Sequence, residues 1–199
     1  MLEEKREKFK KFSNWTGNTF SKFGLTPNQY TLISLIFVLV AFYFLLKEKL
    51  VGALIFFLLA TFLDFIDGAV ARFLQKETKK GAYLDTICDR YVEGIILLGF
   101  LFLPLSDFFL PAKIWIFLAF FGSLMTTYAK AAAKEKELTD QELKKGLLGR
   151  PERVILIIAA MFLGILNLPW TIYPIIILAI FSNITALQRI LLALRPGKD

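Results

Sequence analysis

The sequence predicts an all-α integral membrane protein, with six transmembrane helices preceded by an N-terminal amphipathic helix lying at the membrane interface. Three observations predict it. Of the 199 residues, 56% are hydrophobic and 21% charged, with a mean hydropathy of +0.59; soluble domains average about 45–50% apolar and about 25% charged. The apolar excess lies in long runs such as Thr31–Leu46, Val51–Leu63 and Val154–Leu166, more than one soluble domain of this size can hide. Lysine and arginine fall almost wholly on one set of alternating connections, the bias that orients membrane proteins. An ordinary cytosolic globule, a disordered chain and a disulfide-stapled secreted module are excluded.

Residues 1–24 form the first unit. Phe9, Phe12, Trp15, Phe20 and Phe23 sit among lysines at partly helical spacing. The segment has no apolar core followed by a small-residue cleavage site, so it is not a signal peptide. A helix in the headgroup layer buries the rings and leaves the lysines near anionic lipid. Residues 25–199 form the second unit, a six-helix transmembrane domain. Thr26 is placed to cap the first span, with Pro27 at the first helical position. A hydrocarbon core of about 30 Å needs about 20 helical residues. The spans are Asn28–Leu46, Val51–Phe73, Ala82–Leu105, Ile114–Ala133, Pro151–Leu168 and Trp170–Leu191. Lys47-Glu48-Lys49, the stretch from Pro104 to Pro111, and Asn167-Leu168-Pro169-Trp170 separate them as breakers and turns. Lys134–Lys145 is a polar connector, partly helical.

Of the 24 Lys and Arg residues, all but Lys47, Lys49 and Lys113 fall on one side, Lys144, Lys145, Arg195 and Lys198 among them. Both termini therefore face the cytoplasm in a multi-pass protein of the cell membrane. The net charge of +7 reflects this bias, and no nucleic-acid partner is expected. A single cysteine and no histidine exclude an internal disulfide, a Ser-His-Asp triad, and cysteine or histidine metal sites. Cys88 receives no role. Chemistry must run on carboxylates, cations, hydroxyls and backbone.

The carboxylates concentrate in one place. Asp64 and Asp67 are i and i+3 on the second span, and Asp85 and Asp89 are i and i+4 on the third, so each pair shares a helix face. The two helices are read as antiparallel neighbours joined by a short cytoplasmic loop, bringing the four aspartates together at the cytoplasmic end. Taken singly, an i,i+3 acidic pair is a common helix-end feature and a Gly-plus-Ala face is common in helix packing. Four unneutralised carboxylates at a membrane edge are costly, so cations are required. Hard oxygen ligands without Cys or His select magnesium, manganese or calcium over zinc. Two divalent cations would neutralise the four charges and leave positions for phosphate oxygens. Gly68 and Ala71 lie on the Asp64 face and Gly81 opens the third span, where small residues let a ligand approach backbone. Arg72 can donate to a phosphate or a nucleobase.

The pattern Asp64-x-x-Asp67-Gly68-x-x-Ala71-Arg72, eight residues, Gly81-x-x-x-Asp85-x-x-x-Asp89 resembles the complete signature of the CDP-alcohol phosphotransferases. The resemblance implies transfer of a phosphatidyl-type group from a CDP-linked lipid to an alcohol, with release of CMP. It implies Asp64, Asp67, Asp85 and Asp89 as metal ligands, with Asp89 also the general base. It further implies Asp64, Gly68, Ala71, Arg72, Thr78 and Gly81 as the lining of the nucleotide pocket, with Asn28 in reach of the nucleotide. Magnesium is the expected cation, with manganese as the alternative, and a homodimer is the usual assembly of such proteins.

Lys130, Arg150, Arg153 and Arg189 end three separate spans on the cytoplasmic side. Together they can form one anion pocket, since Arg binds phosphate bidentately; each is equally accounted for by sidedness alone. The arrangement is similar to the branch that uses inositol phosphate as acceptor. Glycerol phosphate, serine, or CDP-inositol with inositol phosphate are the alternatives within the class. Outside it stands a divalent-cation transporter, which the one-ended clustering of the acids argues against.

Overall fold

The computed structural model describes residues 2–138 and 146–194, with side chains from residue 10 onward. Lys144, Lys145, Arg195 and Lys198 and the Phe9 ring lie outside the described residues. The elements are α1 (Leu2–Ser21), α2 (Pro27–Leu46), α3 (Leu50–Phe73), α4 (Lys79–Phe100), α5 (Ala112–Glu135), α6 (Arg150–Leu166), a 3-10 turn at Leu168–Thr171, and α7 (Ile172–Ala193). No named strand occurs among the described residues. Four segments are long and apolar enough to cross a membrane: Pro27–Leu46, Leu50–Phe73, Ala112–Glu135 and Leu168–Ala193. The other two long helices of the bundle differ from these, α6 in having only 17 residues and α4 in its charge, with Lys79, Lys80, Asp85, Asp89, Arg90 and Glu93 all in one helix.

Helix ends follow local chemistry. Thr26 caps α2: its hydroxyl accepts from Gln29 N at 3.3 Å, and Gln29 Oε1 accepts from Thr26 N at 2.8 Å, a capping box with Pro27 in the first turn. Thr78 caps α4 by accepting from Gly81 N at 3.0 Å. The third apolar run reads through to Leu105, yet α4 stops at Phe100. Pro104 disfavours helix in the residue before it, and Leu101–Leu103 close as turns. The next helix is held by Asp107, whose side chain accepts from Ala112 N at 2.9 Å.

Six helices close a ring in the order α2, α3, α6, α7, α5, α4 and back to α2, each packing on its two neighbours. The expected direct packing of the second and third spans is corrected here. α3 and α4 each pack on α2, and neither packs closely on the other. One half of the ring is filled by apolar side chains. Leu45, Phe57, Ile96, Phe100, Ile157, Met161, Ile175 and Leu178 are almost wholly buried there. Residues such as Ile36, Ile55, Phe117, Phe162 and Leu187 face outward, an apolar belt whose extent suits a lipid surround.

α1 packs on α3 outside the ring. The crossing is close: a Cβ on Gly17 would come within 2.5 Å of the Ala69 carbonyl oxygen and 2.6 Å of Phe73 Cβ. Ser13 and Thr16 are buried in this contact, while Phe12, Trp15 and Phe23 are exposed. Phe20 turns inward, edge-on to Tyr30 and Phe62, and its carbonyl accepts from the Tyr30 hydroxyl at 2.8 Å. The aromatic side chains of residues 10–23 are thus divided between a protein-facing and an outward group, with Phe12 at the boundary, stacked on Phe65 of α3 at 5.6 Å.

Candidate functional site

The polar half of the ring gathers the C-terminal part of α3 and the N-terminal part of α4. Asp64, Asp67 and Asp85 each offer a carboxylate oxygen, and these oxygens lie within 4.8 Å of one another. Asp67 is buried and its Oδ2 accepts from the Thr31 hydroxyl of α2 at 2.6 Å, which fixes the carboxylate against rotation. An all-oxygen set of this kind suits a hard divalent cation. The residues present therefore fit such an ion.

Asp89 stands outside that trio. The Arg150 guanidinium, at the first turn of α6, bridges it to the trio: Nη2 donates to Asp64 Oδ1 at 2.7 Å and lies against Asp89 Oδ1. Arg90 Nη2 approaches Asp89 from the other side at 3.8 Å. Asp89 is 7% exposed, so its charge is balanced by two guanidiniums rather than by water.

The small residues sit at the rim. The Arg72 guanidinium folds over Gly68, where a Cβ would meet Nη1 at 3.2 Å. Arg72 Nη2 donates to Ser13 of α1 at 3.1 Å. Ala71 is half-buried. A Cβ on Gly81 would lie 3.1 Å from the Thr78 hydroxyl and 3.3 Å from Asn28 Oδ1, which brings the starts of α2 and α4 side by side.

The four sequence-chosen cations separate. Arg150 is engaged with the aspartates. Arg153 is 2% exposed and pairs with Glu93 of α4 through Nε and Nη2 at 3.1–3.2 Å. Arg189 Nη1 donates to the Thr126 carbonyl of α5 at 2.6 Å. Lys130 is half-buried near the same end of α5. Sequence reasoning missed Thr31, Arg90 and Glu93. Glu93 follows Asp85 and Asp89 at the same four-residue interval, and that continued spacing was the available signal. Thr31 gave a weaker one, a hydroxyl near the start of an apolar helix.

Residues 24–191 match the family model described as CDP-alcohol phosphatidyltransferase, a range holding every residue of the site. An archaetidylinositol phosphate synthase of Pyrococcus horikoshii is 33% identical over 192 residues, 96% of this chain and 95% of that protein. A phosphatidylinositol phosphate synthase of Mycobacteroides abscessus is 30% identical over 189 residues, 92% of this chain and 84% of that one. The crystal structure of Mycobacterium tuberculosis phosphatidylinositol phosphate synthase in complex with manganese and citrate superposes with a TM-score of 0.80 at 26% identity, covering 93% of this chain and 90% of that chain. With the aspartate trio, its Thr31 support and the full-length match in hand, the chain belongs to the CDP-alcohol phosphatidyltransferase family of metal-dependent membrane enzymes.

Proposed function

We propose that this enzyme transfers a phosphatidyl-type group, diacylglycerol phosphate or archaeol phosphate, from a CDP-linked lipid to a hydroxyl of inositol phosphate, releasing CMP. The observation that carries the reading is the Asp64–Asp67–Asp85 trio with Asp89 beside it. Inositol phosphate is favoured by the names of the relatives above and by the gathering of cations at one end of α5, α6 and α7. Glycerol phosphate or serine are the rival acceptors within the class.

Two divalent cations, magnesium by preference, would be held by Asp64, Asp67 and Asp85 with Asp89 at the edge, and would supply charge neutralisation for the pyrophosphate and the departing CMP. The chain does the rest. Asp89 accepts the proton of the acceptor hydroxyl as its oxygen bonds to the lipid-side phosphorus and the bond from that phosphorus to the CMP oxygen breaks. Arg150 and Arg90 hold the Asp89 carboxylate in place. Gly68, Ala71 and Gly81 leave room for the nucleotide at the rim, Arg72 and Thr78 offer it polar contacts, and Asp64 faces both nucleotide and cation. Lys130, Arg153 and Arg189, with Arg150, draw in the phosphate of the acceptor.

In this reading α2–α7 are six spans and residues 25–199 the catalytic domain, with residues 1–24 as an interfacial helix. α4 has 22 residues, which at about 1.5 Å each match a hydrocarbon core of about 30 Å. The cationic end of the ring, both termini and the active site face the cytoplasm. The functional unit is a homodimer. A cation transporter is disfavoured because the other half of the ring is filled by Phe57, Phe100 and Met161 and offers no polar path among the described residues.

The test is an assay of the purified protein with a CDP-linked lipid, Mg2+ and a panel of acceptors, reading CMP. Release with inositol phosphate, abolished by chelator and restored by Mg2+ or Mn2+, is the expected result. Release only with glycerol phosphate or serine would reassign the acceptor. Cation flux without CMP release, measured in proteoliposomes, would overturn the enzyme reading.

A further inference from the structure

Glu93 is a buried carboxylate that the reaction itself does not use. It lies on α4, eight residues after Asp85 and four after Asp89, so it shares their helix face at greater depth. It is 3% exposed. Its two oxygens accept from Arg153 Nε and Nη2 at 3.1–3.2 Å and from Arg90 Nη2 and Nη1 at 3.0 and 3.4 Å. Arg90 Nη1 also reaches the Ser123 carbonyl of α5 at 3.4 Å. Arg189 of α7 is close enough for the charges of Arg153 and Arg90 to bear on it. Two guanidiniums, Arg153 of α6 and Arg90 of α4, therefore grip one carboxylate, and Arg189 of α7 stands near them. Arg90 Nε, Arg189 Nε and Ser123 Oγ are buried there without a hydrogen-bond partner among the described residues.

We propose that Glu93 is a positioning residue: it holds Arg153 and Arg90 in fixed poses, so that an acceptor phosphate meets a pre-arranged guanidinium cluster beside Asp89. The inference rests on the acceptor reading given above. Each guanidinium is a fork of donors in fixed geometry. Gripping Arg153 by its Nε edge sets the direction of the remaining donors. The orphaned Nε atoms of Arg90 and Arg189 are donors still to be satisfied, as a site awaiting an anion leaves them. Without the Glu93 charge the three cations repel in a low-dielectric interior, and removing one member of a buried ion pair leaves the rest uncompensated. The cluster would spread, and the phosphate would have to reassemble it on binding. That loss falls on the acceptor more than on the donor: among the described residues Arg153 and Arg189 make no hydrogen bond or ion pair with the aspartate trio, whose own supports are Thr31 and Arg150, and Arg90 alone also reaches Asp89.

The test measures CMP release by the full-length protein with a CDP-linked lipid, Mg2+ and inositol 1-phosphate. Glu93→Gln is expected to raise the acceptor KM about tenfold or more while leaving the donor KM within about twofold. Glu93→Asp, which keeps the charge on a shorter arm, is expected to recover part of the loss. A merely structural role would lower active enzyme without separating the two constants. If the wild-type protein releases CMP with inositol phosphate and Glu93→Gln leaves the acceptor KM unchanged, the positioning role is wrong. A lowered acceptor KM overturns it as well, since Glu93 would then compete with the phosphate. If Glu93→Gln is not recovered folded, Glu93→Asp decides in the same way: an acceptor-only rise supports the inference and parallel changes in both constants refute it. Absence of wild-type turnover with every phosphorylated acceptor overturns the acceptor reading instead, and this inference with it.

Discussion

The two halves of the helix ring are built from the same six helices and solve opposite problems. In the apolar half, Leu45, Phe57, Ile96, Phe100, Ile157 and Met161 interlock with no charge among them. In the polar half, Asp64, Asp67, Asp85, Asp89 and Glu93 face Arg90, Arg150, Arg153 and Arg189. Packing stabilises the first half by dispersion and exclusion of solvent. Ion pairs do little net work for stability, since desolvating each charge offsets most of the attraction. The lesson is that the apolar half supplies rigidity, and the polar half spends it on holding like charges within a few ångströms of one another.

Substitutions can break this division or sharpen it. The largest effect is expected in the polar half. Asp89→Asn should lower the rate of CMP release about 10²–10⁴-fold, the usual contribution of a general base, while Mn2+ binding to Asp64, Asp67 and Asp85, followed by electron paramagnetic resonance, is partly retained. Normal turnover in that variant would remove the base assignment. Phe57→Ala should do the reverse. A buried Phe replaced by Ala costs about 3–5 kcal/mol, read as a lower melting temperature in detergent, with activity per folded molecule unchanged. Were Phe57→Ala to change the KM for either substrate at a temperature where it is fully folded, the two halves would not be separable.

Next comes Lys130→Ala, expected to raise the acceptor KM about tenfold, a loss of roughly 1.4 kcal/mol, with the donor KM unmoved. Equal changes in both constants would take Lys130 out of the acceptor pocket. The smallest effect is Thr78→Ala. Loss of the α4 cap costs about 1 kcal/mol, and a rise in donor KM beyond that stability loss would give Thr78 a second duty at the nucleotide. Steady-state kinetics alongside a thermal melt separates the two.

Much of this was legible before any coordinates. Apolar runs placed α2, α3, α5 and α7 to within a few residues, because a helix that crosses a bilayer needs about 20 predominantly apolar residues in succession. Thr26 and Pro27 announced the start of α2 by cap chemistry, and the Gln29 half of the capping box emerged only with the structure. Helix periodicity put Asp64 with Asp67 on one helix face and Asp85 with Asp89 on another. What periodicity cannot give is which helices touch. The short connection between α3 and α4 implied packing between them, whereas both lean on α2, and their acids meet across its end. Likewise, Lys and Arg sidedness located Arg150 and Arg153 at one end of α6 but not their partners. Arg150 reaches Asp64 across 86 positions of sequence and Arg153 reaches Glu93 across 60, separations that no local pattern records. α4 ended early because Pro104 acts on backbone geometry while the hydropathy continued beyond it.

The crossing of α1 over α3 at Gly17 has a practical side. Because Ser13 tethers Arg72 and the Gly17 backbone rests on Ala69, the leading helix is a strut of the signature rather than a detachable leader. Trimming it to ease expression, or loading it with a bulky fusion partner, would pull at a signature arginine 59 positions downstream of its anchor. A shortened protein would look sound on a gel with its Arg72 cut loose from Ser13.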